Sequence, residues 1–219
     1  MEILKLHVDS IEKSFGEQKI LKDIFIGCET NEIVGVLGRN GSGKTTLFNI
    51  IFGTASAENK FIRVGSKVIT KVSDNKNLIH FLAQNHFLPS HLKIKNSIDL
   101  FCNESNAYNL KNHQLMSSYL DKKPHHLSGG EKRLLEILIL LFSDCRFLLL
   151  DEPFHSLSPK IIEEIKLLIT EQSKDKGIII TDHQYQHVLE ISDKIFLLKE
   201  GSTKILNGTD DLKKLGYLR

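Results

Sequence analysis

Residues 38–46 read Gly-Arg-Asn-Gly-Ser-Gly-Lys-Thr-Thr, which meets the G-x-x-x-x-G-K-[ST] phosphate-binding pattern with Gly38, Gly43, Lys44 and Thr45 in register. The pattern constrains the fold because it works only between a strand and a helix. The apolar run at 33–37 reads as a buried parallel strand, and 46–52 reads as an amphipathic helix. Between them the glycines let the chain turn with its N–H groups inward. The amides of Gly38, Arg39, Asn40, Gly41, Ser42, Gly43, Lys44, Thr45 and Thr46, with the helix N-terminus, then surround a phosphate. Lys44 is placed to reach β- and γ-phosphate oxygens, and the Thr45 hydroxyl to ligate Mg²⁺. The expected ligand class is a nucleoside triphosphate.

The chain has 219 residues, 41% of them hydrophobic, enough to bury a core in one large or two small domains. Its formal charge is +2 with Lys and Arg spread along its length, so it carries no electrostatic footprint for nucleic acid and no such partner is expected. Cys28, Cys102 and Cys145 form no Cys-x-x-Cys spacing, which predicts reduced thiols in a cytosolic compartment. Met1-Glu2-Ile3-Leu4-Lys5 has neither the basic start nor the apolar stretch of a secretory signal. The longest purely apolar run, 137–142, is far short of the ~20 residues a membrane helix needs. By itself the chain is expected to be soluble.

Short β-rich segments come first: 4–8 and 20–26 flank a turn at Gly16, and 61–64 with 67–70 has the pattern of a hairpin around Gly65-Ser66. They predict an antiparallel layer beside the phosphate loop. Residues 85–126 turn polar and irregular, with apolar clusters only at 98–101 and 115–120, and read as an inserted helical subdomain. From Glu131 the pattern alternates: a helix to about Phe142, a buried strand at 147–150, a helix at 160–170, a strand at 178–181, a helix near 184–191, and a hairpin of 195–198 with 203–206. Strands alternating with helices imply a mainly parallel sheet covered on both faces.

Two further constellations carry chemistry. Phe147-Leu148-Leu149-Leu150-Asp151-Glu152-Pro153 is a hydrophobic strand that delivers two carboxylates to the carboxyl edge of the sheet, where open α/β sheets bind ligands. Asp151 is placed to hold Mg²⁺ and Glu152 to act as base or orienter for a water attacking the γ-phosphate. Leu127-Ser128-Gly129-Gly130-Glu131 opens a helix with the spacing of a capping box, Ser128 to Glu131, while its paired glycines expose amides to an anion at a helix N-terminus.

Together these motifs resemble those of the ATP-binding cassette (ABC) ATPases, whose signature is Leu-Ser-Gly-Gly-Gln or a near variant, and the resemblance covers essentially the whole chain. It implies an α/β P-loop NTPase (RecA-like) core with a mainly parallel sheet, an N-terminal antiparallel β layer and an inserted helical subdomain. The whole of 1–219 would be one ABC ATPase domain, with 1–84 and 131–219 as catalytic core and 85–130 as the insert ending in the signature. Carried over position by position, Phe15 stacks on adenine and Gln84 is the Q-loop glutamine that contacts Mg²⁺ or the attacking water. His183 is the switch histidine on the γ-phosphate. A zinc pair of His183 and His187 is not expected, because position 184 is Gln rather than the Glu of a metalloprotease helix. His80, His86, His91, His125 and His126 lack ligand spacing and read as solvated surface or partner contacts.

The sequence departs from the family at Ser158, where the D-loop aspartate usually stands, and at Leu138-Ile139-Leu140-Leu141, where Ala-Arg-Ala is usual. With the lysine, both carboxylates, the signature serine, Gln84 and His183 present, the resemblance implies an active ATPase using ATP and Mg²⁺. It also implies a second cassette, identical or similar, whose Ser128, Gly129 and Gly130 meet the same γ-phosphate. Separate integral membrane transporter subunits would dock beside Gln84, placing the chain peripherally on the cytoplasmic face of the inner (plasma) membrane. The runs Asp-Glu-Pro-Phe and Ile-Thr-Asp-His look like those of bacterial branched-chain amino-acid and lipopolysaccharide-export cassettes. Two alternatives stay open at this point: a non-transport cassette acting on nucleic acid or ribosomes, and an ATP-binding regulatory module with weak hydrolysis.

Overall fold

The computed structural model describes residues 3–206 together with 208, 211, 212 and 217. Met1 and Glu2, part of the start read for a leader, and most of the last thirteen positions of the 1–219 span lie outside the described residues.

Ten strands and six α-helices follow in the order β1 (Lys5–Phe15), β2 (Gln18–Glu29), β3 (Ile33–Leu37), α1 (Lys44–Phe52), β4 (Asn59–Val64), β5 (Lys67–Val68), β6 (Ile79–Leu82), α2 (Ile94–Phe101), α3 (Glu104–Lys111), α4 (Gly129–Phe142), β7 (Phe147–Asp151), α5 (Pro159–Gln172), β8 (Gly177–Thr181), α6 (Tyr185–Ile191), β9 (Lys194–Lys199) and β10 (Ser202–Leu206) among the described residues. The strands lie in the order β5-β4-β1-β2-β10-β9-β3-β8-β7-β6. From β9 to β6 every neighbouring pair is parallel, whereas β1, β2, β4 and β5 pair antiparallel. A single parallel bridge, Ser202 to Asp23, joins the two parts. This is the P-loop NTPase α/β arrangement that the alternation of strands and helices implies.

Both faces of the parallel sheet are buried, and the two-residue period of its strands divides their side chains between two cores. Val34, Val36, Phe147, Leu149 and Ile179 pack with α1 and the antiparallel strands. Ile33, Leu37, Leu148, Leu150, Ile178 and Ile180 pack with the helices of the opposite side. Helix α4 runs through that second core. Its residues Leu135 to Leu141 are all at most 2% exposed, so apart from Glu136 it is apolar around its circumference because it is buried all round. The Leu138–Leu141 departure from the family pattern is thus absorbed in core packing. The buried Lys176 ammonium donates to the carbonyls of Leu141 and Ser143 at the C-terminal end of α4, where a cation is favoured by the helix dipole.

Several expectations needed correction. β1 does not stop at Val8 but continues to Phe15, through register shifts after Val8 and a positive φ at Ser10. Pairing with β2 carries the polar Asp9-Ser10 across a bulge that local pattern reads as an end. The second strand of the first predicted hairpin ends at Val68, and the apolar cluster at 115–120 holds only a 3₁₀ turn, Ser117–Tyr119. Of the five histidines read as solvated surface or partner contacts, three make hydrogen bonds within the chain, His125 through Nδ1 at 2.8 Å from the Ser90 carbonyl oxygen. His80 Nδ1 lies 2.8 Å from Ser143 Oγ, with burial lowering its pKa, and His86 Nδ1 lies 2.9 Å from Glu136 Oε2.

Candidate functional site

Sheet register brings the chemistry-bearing residues to one edge. Leu82 pairs with Leu150, Asp151 with Thr181, and Ile180 with Gly35. The segments that follow these strands, holding Gln84, Glu152, Asp182, His183 and the phosphate loop, therefore leave the sheet side by side at its carboxyl edge.

The loop itself is shaped by its last glycine. Gly43, at φ 101°, is the N-cap of α1, and a β-carbon there would also stand 2.8 Å from Ile20 Cγ2. Lys44 follows as the first helical residue, 7% exposed. Its Nζ donates to Gly38 O at 2.7 Å and to Arg39 O at 3.3 Å, so the ammonium is folded back onto the carbonyls of the loop itself. Burial lowers its pKa, opposed by the nearby carboxylates of Glu152, Asp151 and Asp182.

A cleft of about 370 Å³ is lined by Phe15, Asn40, Gly41, Gly43, Lys44, Thr45, Thr46, Gln84 and Glu152. Phe15 is 58% exposed, a ring presented to the cleft rather than buried in the core, with Lys13 Nζ 5.3 Å from its centroid. Gln84 Nε2 donates to Thr45 Oγ1 at 3.2 Å. Asp151 is wholly buried, and neither carboxylate oxygen has a hydrogen-bond partner of ordinary geometry. Desolvation raises its pKa to about 6, partly offset by the neighbouring Thr45 hydroxyl and Lys44 ammonium.

Glu152 has φ 51°, a left-handed conformation that costs a non-glycine residue ~1–3 kcal/mol unless its surroundings impose it. They do: its N–H donates to Thr181 O at 2.8 Å, and Arg133 holds its carbonyl at 2.9 Å. Arg133, 5% exposed, spends its guanidinium on three carbonyls, those of Ala83, Asp151 and Glu152. It joins the exit of β6 to the exit of β7. Asp182 does similar work from β8: Oδ2 accepts from Phe154 N at 3.1 Å and Oδ1 from Gln184 N at 2.9 Å, with His183 Nδ1 3.3 Å from the same Oδ1.

Ser128 caps α4: its hydroxyl accepts from Glu131 N at 3.2 Å while Glu131 Oε2 accepts from Ser128 N at 2.8 Å. Ser128 and Gly129 are exposed, and neither Ser128 nor Gly130 lines the phosphate-loop cleft. Gly129 instead borders a second cleft of about 350 Å³ with Gln84, His86, Arg133, Glu152, His155 and Ser156. His183 lines neither cleft; its ring lies 6.1 Å from that of His155. The structure thus gathers the loop, Phe15, Gln84 and Glu152 into one cleft, buries Asp151 beneath it, and leaves the signature serine facing outward.

Arg133, Glu136 and Asp182 escaped the reading of the sequence. A signal was present for the first two: charged residues three apart in a stretch whose neighbours are nearly all apolar need buried partners.

Fold and site together define a P-loop nucleoside triphosphatase. The chain belongs to the ABC transporter family, whose model matches residues 21–155, and is an ATP-binding cassette and ATPase of that family. It is 31% identical over 209 residues to the lipopolysaccharide export system ATP-binding protein LptB of Acidithiobacillus ferridurans, covering 90% of this chain and 87% of that protein. It is 28% identical over 208 residues to the spermidine/putrescine import ATP-binding protein PotA of Thermotoga maritima, spanning 90% of this chain but only 56% of that protein. A solved ATP-binding subunit of an ABC transporter superposes with a TM-score of 0.82 at 22% identity, covering 98% of this chain and 94% of that one, a likeness of fold.

Proposed function

We propose that the chain is the ATP-hydrolysing nucleotide-binding subunit of an ABC transporter, taking Mg-ATP into a head-to-tail pair of cassettes and driving transport through separate integral membrane subunits. The observation that carries this reading is the shared wall of the phosphate-loop cleft, where Gln84 and Glu152 stand with Lys44, Thr45 and Thr46. The loop 38–46 cradles the phosphates. Lys44 exchanges its carbonyl acceptors for β- and γ-phosphate oxygens, and Phe15 stacks on adenine. Glu152 takes the proton of the attacking water, while Gln84 and His183 orient water and γ-phosphate.

The residues fit Mg²⁺. Asp151 offers two buried oxygens without a hydrogen-bond partner of ordinary geometry, beside the Thr45 hydroxyl and its Gln84 partner. Asp151, Thr45 and Gln84 would hold the ion, directly or through water, and bound there it would neutralise charge on the phosphates.

The outward-facing N-terminus of α4, with Ser128, Gly129 and Gly130, supports an anion contact to the ATP of a second cassette. Closure of the pair is then biased by the different contacts that ATP and ADP make. Beside Gln84, an apolar cleft of about 430 Å³ between Phe52, Phe81, Phe87, Phe101 and Leu140 supports docking of a membrane subunit next to the helical insert 85–130. No helix among the described residues is long and apolar enough to cross a membrane, so in this reading the chain sits peripherally on the cytoplasmic face of the inner membrane through that contact.

Steady-state hydrolysis by the purified chain, paired with co-purification from native membranes in mild detergent, tests the proposal. The expected result is Mg²⁺-dependent release of phosphate and recovery of an integral membrane protein. Absence of hydrolysis both alone and with co-purified partners would overturn the enzymatic reading. Stimulation by ribosomes or nucleic acid, with no membrane partner recovered, would replace transport.

A further inference from the structure

We infer that Glu136 is a positioning residue for Gln84. It is the one carboxylate in the buried stretch of α4 and is 0% exposed. A helix core tolerates such a group only where its oxygens are used. Both are used on the chain just after Gln84. Oε1 accepts the N–H of Phe87 at 2.8 Å and of Leu88 at 3.4 Å, and Oε2 pairs with His86 Nδ1 at 2.9 Å. One turn earlier on the same helix face, Arg133 donates to the carbonyl of Ala83 at 2.6 Å. Residues 83–88 are therefore fastened to α4 at both ends, with Gln84 between the anchors.

Gln84 is exposed, and its own side chain contact is the 3.2 Å hydrogen bond to Thr45 Oγ1. A short exposed loop without anchors samples many conformations, and fixing it beforehand removes that entropy from the reacting complex. In this arrangement α4, rather than the loop itself, sets where the Gln84 amide stands relative to Thr45. The inference rests on the reading of Gln84 as a contact for Mg²⁺ or the attacking water.

The test compares Glu136→Ala and the isosteric Glu136→Gln with wild type, using Gln84→Ala as reference. Hydrogen–deuterium exchange is measured on the protein without nucleotide, and hydrolysis is followed across ATP and Mg²⁺ concentrations. Glu136→Ala should speed exchange at residues 86–88 by about tenfold or more while peptides from α4 keep their protection. Its kcat should fall about tenfold, towards that of Gln84→Ala, with KM for ATP within about twofold of wild type. Glu136→Gln, which keeps an acceptor for the Phe87 amide and cannot fail through loss of volume, should lie between. A purely structural role would lower the melting temperature and slow nothing in the folded protein. Faster exchange with wild-type kcat, or unchanged exchange in both variants, overturns the inference. Wild-type hydrolysis by Gln84→Ala overturns the reading of Gln84 and the inference with it, whereas a slow Gln84→Ala beside a fast Glu136→Gln and Glu136→Ala overturns the inference alone.

Discussion

A β-carbon on Gly130 would stand 2.5 Å from the carbonyl oxygen of Ser156, whereas one on Gly129 would meet nothing within 4 Å. The two signature glycines therefore differ in kind. Gly130 permits α4 to start against the loop that follows Glu152, and Gly129 faces open space. Gly130→Ala should destabilise the isolated chain by ~1–3 kcal/mol, because backbone must move to admit the methyl group. Gly129→Ala should melt at or above the wild-type temperature, since alanine is the better helix former. Thermal melts followed by circular dichroism separate them; equal melting temperatures would contradict the packing described.

In the proposed mechanism Lys44 serves binding and Glu152 serves turnover, two residues of one cleft. Lys44→Ala removes charge-assisted hydrogen bonds worth ~1.5–3 kcal/mol each, so ATP affinity should fall by about 10- to 100-fold or more and hydrolysis with it. Glu152→Gln keeps the shape of the cleft but cannot accept a proton. It should bind ATP normally and turn over ~10²–10⁴-fold more slowly. Isothermal titration with a slowly hydrolysed analogue, beside phosphate release, checks both.

Asp151 makes the fold sensitive to pH. Its pKa stands at about 6, above the ordinary 3.8, because burial penalises the charged carboxylate. The folded state therefore holds a proton that the unfolded state releases between about pH 4 and 6, and the contribution to stability falls as pH rises through 6. The shift of about 2 units corresponds to at most about 3 kcal/mol above pH 7. Asp151→Asn should accordingly be more stable than wild type at pH 7.5 in the absence of Mg²⁺ and nucleotide, with the difference shrinking towards pH 4.5. Denaturant melts of both proteins across that range measure it, and a constant difference would contradict the assignment.

Ser128 faces outward on α4, and in the proposed pair of cassettes it meets the ATP held by the other chain. Glu152→Gln with ATP and Mg²⁺ should form a symmetric dimer, and the protein without nucleotide should be mostly monomeric. Adding Ser128→Arg should block the dimer and leave ATP binding by the monomer intact. Light scattering after size exclusion, across a dilution series, decides it. A monomer with ATP bound at high concentration would point to a different second cassette, for which Ser158 in place of the usual D-loop aspartate gives a reason.

The phosphate loop, the strands at 33–37 and 147–150 and the capping box at Ser128 were legible because each is encoded by neighbours in sequence. Glycine tolerates the φ of 101° at position 43, apolar runs mark strands buried on both faces, and Ser128 with Glu131 satisfies the first amides of α4 within one turn. The bulged course of β1 was not legible, because the pairing that carries it past Ser10 comes from β2 and β4. Nor was the tie between His86 and Glu136, whose partners are 50 positions apart.

The sequence by itself determined the family and the ligand class, and it named the residues proposed to supply the reacting groups, since those reside in contiguous motifs whose backbone chemistry is local. Only the tertiary structure decided how these groups are held. Arg133 binds carbonyls 18, 19 and 50 positions away, Asp182 accepts from Phe154 28 positions back, and Gly130 lies against Ser156. Such partners are chosen by where a parallel sheet sets its strand ends. That placement follows from burying two faces of β3, β7 and β8 at once, a balance of packing over the whole chain that no local window contains.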